Sequence, residues 1–122
     1  MQGEIRREEL ATYFREFSKR NHARPTRLEI FGELGAQSEE SHLPLGGISV
    51  ENTGKDAPRI EIMLGGNSLI DPRHLTHTVT RASRITPKRS PDGRDEALEI
   101  EDEGGTKTLL RFEALAELSA AP

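Results

Sequence analysis

Two histidines three residues apart, His74 and His77, come nearest to a chemical signature in this chain, because imidazole titrates near neutrality and is a common metal ligand. They sit in a β-prone run rich in threonine, residues 74–79 (HLTHTV). Residues three apart on a strand point to opposite faces. Leu75, His77 and Val79 therefore share one face and His74, Thr76 and Thr78 the other, which argues against a metal held by both imidazoles. The spacing predicts a core-facing His77 satisfied by a buried hydrogen bond and a solvated His74. No metal site and no cofactor are expected.

A second chemistry is offered by Arg73, Arg81, Arg84, Lys88, Arg89 and Arg94, a basic stretch in which Asp92 is the one acid between residues 72 and 94. Such a stretch suits a phosphate, a nucleic acid or an acidic partner surface. The hairpin register set out below pairs Arg84 with Glu99 and Lys88 with Asp95. Arg81, Arg89 and Arg94 are then left as the unpaired candidates for contact with an anion or a partner.

Other reactive residue types lack their settings. Neither a GxxxxGK[ST] nor a GxGxxG run exists, so Gly65-Gly66-Asn67-Ser68 reads as a mobile turn. Gly35-Ala36-Gln37 reads as a bend or bulge. Ser41, beside His42, and Ser49 stand outside any GxSxG elbow or SxxK motif. Glu99, Glu101, Asp102 and Glu103 fall in a strand pair and its turn, where the outward ones serve as salt-bridge partners. Catalysis is the least supported function class, and no catalytic residue is assigned.

The elements that position these residues follow from periodicity. Leu10, Tyr13, Phe14 and Phe17 recur at i, i+3, i+4 and i+7, which predicts a helix over about residues 7–21 with one aromatic stripe. Glu8 and Glu9 open it and Lys19 and Arg20 close it in the sense the macrodipole favours, Glu16 can pair with Arg20, and Asn21 with Pro25 supplies the stop. No good N-cap precedes it.

Beyond Pro25 the period changes to two. Strands are expected at about 27–34, around Ile48 and Val50, and around Ile60, Ile62 and Leu64, with Gly46-Gly47, residues 52–58 and residues 65–72 as punctuation. A turn at Ser90-Pro91-Asp92-Gly93 sets Ile85 opposite Leu98, Arg84 opposite Glu99 and Lys88 opposite Asp95. A second turn at Gly104 sets Leu98 opposite Leu110, Ile100 opposite Thr108 and Glu101 opposite Lys107. Two turns yielding one consistent inner face predict a meander of about 84–88, 95–101 and 107–112. Residues 113–122 form an Ala-rich tail.

The whole is one domain of α+β class: an N-terminal amphipathic helix at about 7–21, packed on or plugging a small antiparallel sheet or barrel of six to seven strands across about 26–112, then the tail. Composition agrees. Leu, Ile, Val and Phe make up 27 of 122 residues and the net charge is −4, on the folded side of the border with disorder. A chain of this length buries about two-thirds of its surface. Zero Cys excludes disulfides, thiolate zinc, iron–sulfur clusters and a Cys nucleophile. Zero Trp and five other aromatics argue against a base-stacking platform. No apolar run reaches a membrane span and no signal-peptide h-region opens the chain, so it reads as cytoplasmic. Charge alternates along the chain, +3 over 1–28, −6 over 29–71, +5 over 72–94 and −6 over 95–122.

Several stretches carry a family likeness: residues 5–17 (IRREELATYFREF), 35–37 (GAQ), 43–49 (LPLGGIS), 60–65 (IEIMLG), 74–79 (HLTHTV) and 98–112 (LEIEDEGGTKTLLRF). On these the chain resembles a bacterial domain-of-unknown-function family of small soluble proteins, number fifty-three thirty-five. The resemblance spans nearly the whole chain, and it implies bacterial origin and a single domain. It brings no activity and no site. The expected function is a small binding or adaptor module without catalytic activity of its own, meeting a protein partner or its own copies. The alternative is a binder of an anionic ligand or nucleic acid through residues 73–94, although an acidic pI near 5.6 disfavours nucleic acid.

Overall fold

Leu10, Phe14 and Phe17 all fall on one stripe, and the stripe is buried on the concave side of a rolled sheet. The computed structural model describes residues 4–32, 35–65 and 73–113, with only the backbone given for 37–41. A 3-10 turn, Arg7–Glu9, leads into α1, Leu10–Asn21, and no side chain caps either start. The expected 7–21 helix is thus present, tightened where the N-cap is missing. Ala23, at φ +69°, makes the left-handed turn out of the helix. Arg20 does not pair with Glu16 at its end; it reaches Asp95 instead.

Seven strands follow: β1 (Pro25–Gly32), β2 (Gly35–Glu51), β3 (Arg59–Gly65), β4 (His74–Val79), β5 (Ala82–Arg89), β6 (Asp95–Asp102) and β7 (Lys107–Phe112). They form one antiparallel sheet in the order β4-β3-β2-β1-β7-β6-β5. Only Thr80 and Arg81 separate β4 from β5, the two opposite edges. Three Cα steps reach at most about 11 Å, so the sheet must roll until its edges meet at that corner. His77 demonstrates the roll. It lies four strands from β7, about 19 Å on a flat sheet, yet its Nε2 is 3.4 Å from Oγ1 of Thr108.

Strand β2 is the device that permits this shape. Its first part pairs with β1 and its second with β3, with a register shift between Leu45 and Gly47. Gly46-Gly47, expected as punctuation between strands, lies inside β2. A Cβ at Gly46 would stand 3.1 Å from the Met63 carbonyl oxygen, so the glycine allows a close approach at a bulge rather than a turn. At the end of β3, Gly65 has φ +79° and a Cβ there would lie 2.2 Å from the Arg73 carbonyl oxygen, which only glycine avoids.

The closing meander is present, and β6 pairs with β7 in the expected register: Leu98 with Leu110, Ile100 with Thr108, Glu101 with Lys107. The β5–β6 hairpin is shifted by two residues from the expected one. Ile85 faces Ile100, Arg84 faces Glu101 and Lys88 faces Ala97. Its turn is wider because the Ser90 N–H donates to the Arg94 carbonyl, and a bulge follows Lys88. A shift of two preserves which face each side chain takes, so the core survives while the charge pairs change. Arg84 pairs with Glu4, at 3.0 Å, and not with Glu99. Asp95 is taken by Arg20 and Arg89, not by Lys88. The expected strand end at Leu34, residues 66–68 of the Gly-Asn-Ser turn and the tail beyond Glu113 lie outside the described residues.

Candidate functional site

Two acids are buried at the end of the sheet where α1 terminates, and both are fully engaged. Asp95, first residue of β6, is 5% exposed. Its Oδ2 accepts from Arg20 Nε at 3.0 Å and Asn21 Nδ2 at 2.8 Å, and Arg89 Nε lies 3.5 Å from Oδ1. Burial pushes this carboxyl up, but the hydrogen bonds from Arg20 and Asn21 and the charges of Arg20 and Arg89 outweigh it, so it sits below the ordinary carboxylate range. Asn21 also donates to the Phe17 carbonyl, which ties the last helical turn to β6. Nearby, burial and then the Asp95 charge raise the Tyr13 phenol, whose hydroxyl has no hydrogen-bond partner among the described residues. Glu113 is held from the other side. His42, at φ +68°, donates its backbone N–H to Oε1 at 2.8 Å and sets Nδ1 2.6 Å from Oε2.

Two residues along β6 from Asp95, beyond the register shift at Lys88 and Arg89, lies the opposite situation. Ala97 is buried yet stands outside the core cluster, as the floor of a groove of about 720 Å³. Lys88 lies directly opposite it on β5 and Arg111 directly opposite on β7, while Arg27 on β1 faces Arg111 in turn. Like charges placed opposite each other on neighbouring strands ordinarily destabilise a sheet. Arg94 and Arg24 line the groove at its rim. Arg24 Nη1 donates to Asn21 Oδ1 and to the Asp95 carbonyl, and its guanidinium lies 4.1 Å over the Phe112 ring. Burial, then the nearby Arg94 charge, lower Arg24 below its ordinary value, against the pull of Asp95.

Acids line the groove as well. Asp92 is occupied by the turn, accepting from the Ser90 hydroxyl and the Arg94 N–H. Arg111 Nη1 has Glu29 at 3.6 Å. Lys88, Arg94 and Arg27 make no ion pair and no side-chain hydrogen bond among the described residues.

The structure does not bring the three expected arginines together. Arg81 sits at the β4–β5 corner, with φ +51° and Asp56 at 3.6 Å, whereas Arg89 and Arg94 flank the turn at the far end of β5. Eight residues of strand separate those ends by about 25 Å. Arg81 and Arg89, expected to be unpaired, both have carboxylate partners; of the three only Arg94 lacks an ion pair among the described residues. His77 is half-buried opposite Ile62, on the core face of β4, and His74 lies at the exposed start of that strand. No group of three metal-ligating side chains occurs among the described residues, and none of their helices is long and apolar enough to cross a membrane.

A family model described as a family of unknown function, DUF5335, matches residues 1–121. The chain belongs to the DUF5335 family. No curated protein and no solved structure matches it.

In this DUF5335 chain, sequence reasoning reached Arg94; it paired Lys88 with Asp95 and so set it aside, and it missed Arg24, Arg27, Arg111 and Ala97. The β6–β7 register, correctly expected, already put Ala97 opposite Arg111; what was lacking was the pairing of β1 with β7. His42 and Glu113, 71 positions apart, carry no local signal at all.

Proposed function

We propose that this DUF5335 protein is a small cytoplasmic binding or adaptor module without a reaction of its own, and that its contact surface is the groove over Ala97. One observation carries the reading. The acids best placed for chemistry, Asp95 and Glu113, are consumed by structural bonds, while the side chains of Lys88, Arg94 and Arg27 stand exposed and make no ion pair among the described residues. Charges left unpaired around a depression serve recognition, since they set partner orientation and association rate.

The test is cross-linking in bacterial lysate with the full chain, comparing Arg94→Glu with Arg59→Glu, a control on β3. An adduct lost in the first variant and kept in the second is the expected result. A monomer without any groove-dependent adduct overturns the reading. The alternative, an anion or nucleic acid held along residues 73–94, is weakened by the distance between Arg81 and Arg94, which leaves that segment only its Lys88–Arg94 end.

A further inference from the structure

The cations around Ala97 have an order that narrows the ligand. Lys88, Ala97, Arg111 and Arg27 form one cross-strand row over β5, β6, β7 and β1. Strands are spaced about 4.8 Å apart, so the row is about 14 Å from Lys88 to Arg27. In an extended polypeptide, side chains on one face recur about every 7 Å. Acidic residues at i, i+2 and i+4 therefore span the row end to end.

The neighbouring rows set its width. Glu99 and Glu29 flank Leu109 in the next row along the strands, about 7 Å away. On the other side Arg94 and Arg24 continue the basic surface, with Arg24 held against Phe112 and close enough to Arg94 for the two charges to repel. A broad polyanion such as a nucleic acid backbone, running along the strands, would meet Glu99 and Glu29. A narrow acidic segment crossing the strands along this row meets Lys88, Arg111 and Arg27, of which Arg111 has Glu29 at 3.6 Å. Resting on the binding-module reading above, we propose that this row is a docking site for an extended acidic polypeptide segment, laid across β5, β6, β7 and β1. Lys88, Arg111 and Arg27 receive its carboxylates, and Arg94 and Arg24 secure its lower edge. The small side chain of Ala97 leaves room for the segment's backbone.

The experiment is an amide-shift titration of the isotopically labelled full chain with an octapeptide of alternating Glu and Ser, beside Gln/Ser and Lys/Ser octapeptides and a single-stranded DNA octamer. The Glu peptide is expected to move the amides of Lys88, Arg94, Ala97 and Arg111, with binding that weakens as salt rises. The double variant Lys88→Glu, Arg94→Glu should bind at least tenfold more weakly with an unchanged melting temperature, and Arg59→Glu should bind as the natural chain does. Equal shifts from the Gln or Lys peptide overturn the acidic ligand, and tighter binding of the DNA replaces it with a nucleic acid. Absence of shifts, together with a cross-linked adduct that Arg94→Glu abolishes, overturns the acidic segment while the binding-module reading stands. Absence of both removes the two together.

Discussion

Asp95 and Ala97 stand two residues apart on β6, on either side of the register shift at Lys88 and Arg89, and their surroundings are opposites. Around Asp95 two arginines and an asparagine converge on one buried carboxylate. Around Ala97 a lysine and an arginine converge from both neighbouring strands on a methyl group. The first arrangement satisfies itself, and it fastens the end of α1 to the sheet. In the second, the position where a pairing acid would complete the row holds a residue that cannot pair. The comparison teaches that basic residues in this chain divide by what they face, not by where they cluster in sequence: Arg89 belongs to the closed site and Arg94 to the open one.

The largest effect is expected from breaking the closed site. Asp95→Ala removes the shared acceptor of Arg20, Asn21 and Arg89. Hydrogen bonds to a charged group contribute about 1.5–3 kcal/mol, and a broken buried pair costs about 3–5 kcal/mol. Because Arg20 and Arg89 are each close to half exposed and can regain water, the loss should be about 2–3 kcal/mol. Urea unfolding reads this directly. A loss below about 0.5 kcal/mol, the range of ordinary surface substitutions, would mean that the helix end is secured by Phe14 and Phe17 alone.

Acid should act on the same site with a definite sign. The Asp95 carboxyl lies below its ordinary value in the folded protein. Its contribution is therefore complete above the unfolded value of about 3.9 and is lost as pH falls through the lower folded value. In that window the unfolded chain binds the proton first, so stability declines with falling pH. Unfolding curves recorded downward from pH 5 should show a shallower decline in Asp95→Asn than in the natural chain. Equal slopes would place the acid sensitivity elsewhere in the chain.

How much of this was legible in the sequence depended on how far each contact reaches along the chain. The α1 stripe and the β6–β7 hairpin are local, and the period of Leu98, Ile100 and Leu110 sets faces and register without tertiary information. The β5–β6 hairpin was legible only in its faces. Its register depends on whether Ser90 closes the turn onto Arg94, a hydrogen-bond choice that composition leaves open. The long β2 was hidden because Gly46-Gly47 has the look of a turn, while its actual role, letting β3 approach at a bulge, exists only after the sheet rolls. The candidate site was half legible. Arg94 stood out by charge, Lys88 was set aside by a hairpin register two residues off, and Arg27 and Arg111 join them through the pairing of the first strand with the last, more than 80 positions apart.

The smallest expected change in stability is the sharpest test of the open site. Ala97→Glu places a carboxylate at the centre of the cation row, directly opposite Lys88 and Arg111. Opposite charges across strands contribute roughly 0.2–1 kcal/mol each, so the variant should be as stable as the natural chain or slightly more so. Its effect on recognition should be far larger, since a built-in carboxylate competes with any acidic segment for the same two cations. Loss of binding to the alternating Glu peptide, with the melting temperature maintained, would show that the missing acid at position 97 is what leaves the row open. Retained binding would move the contact to Arg94 and Arg24 at the rim, where Ala97 is only the floor and its charge is irrelevant.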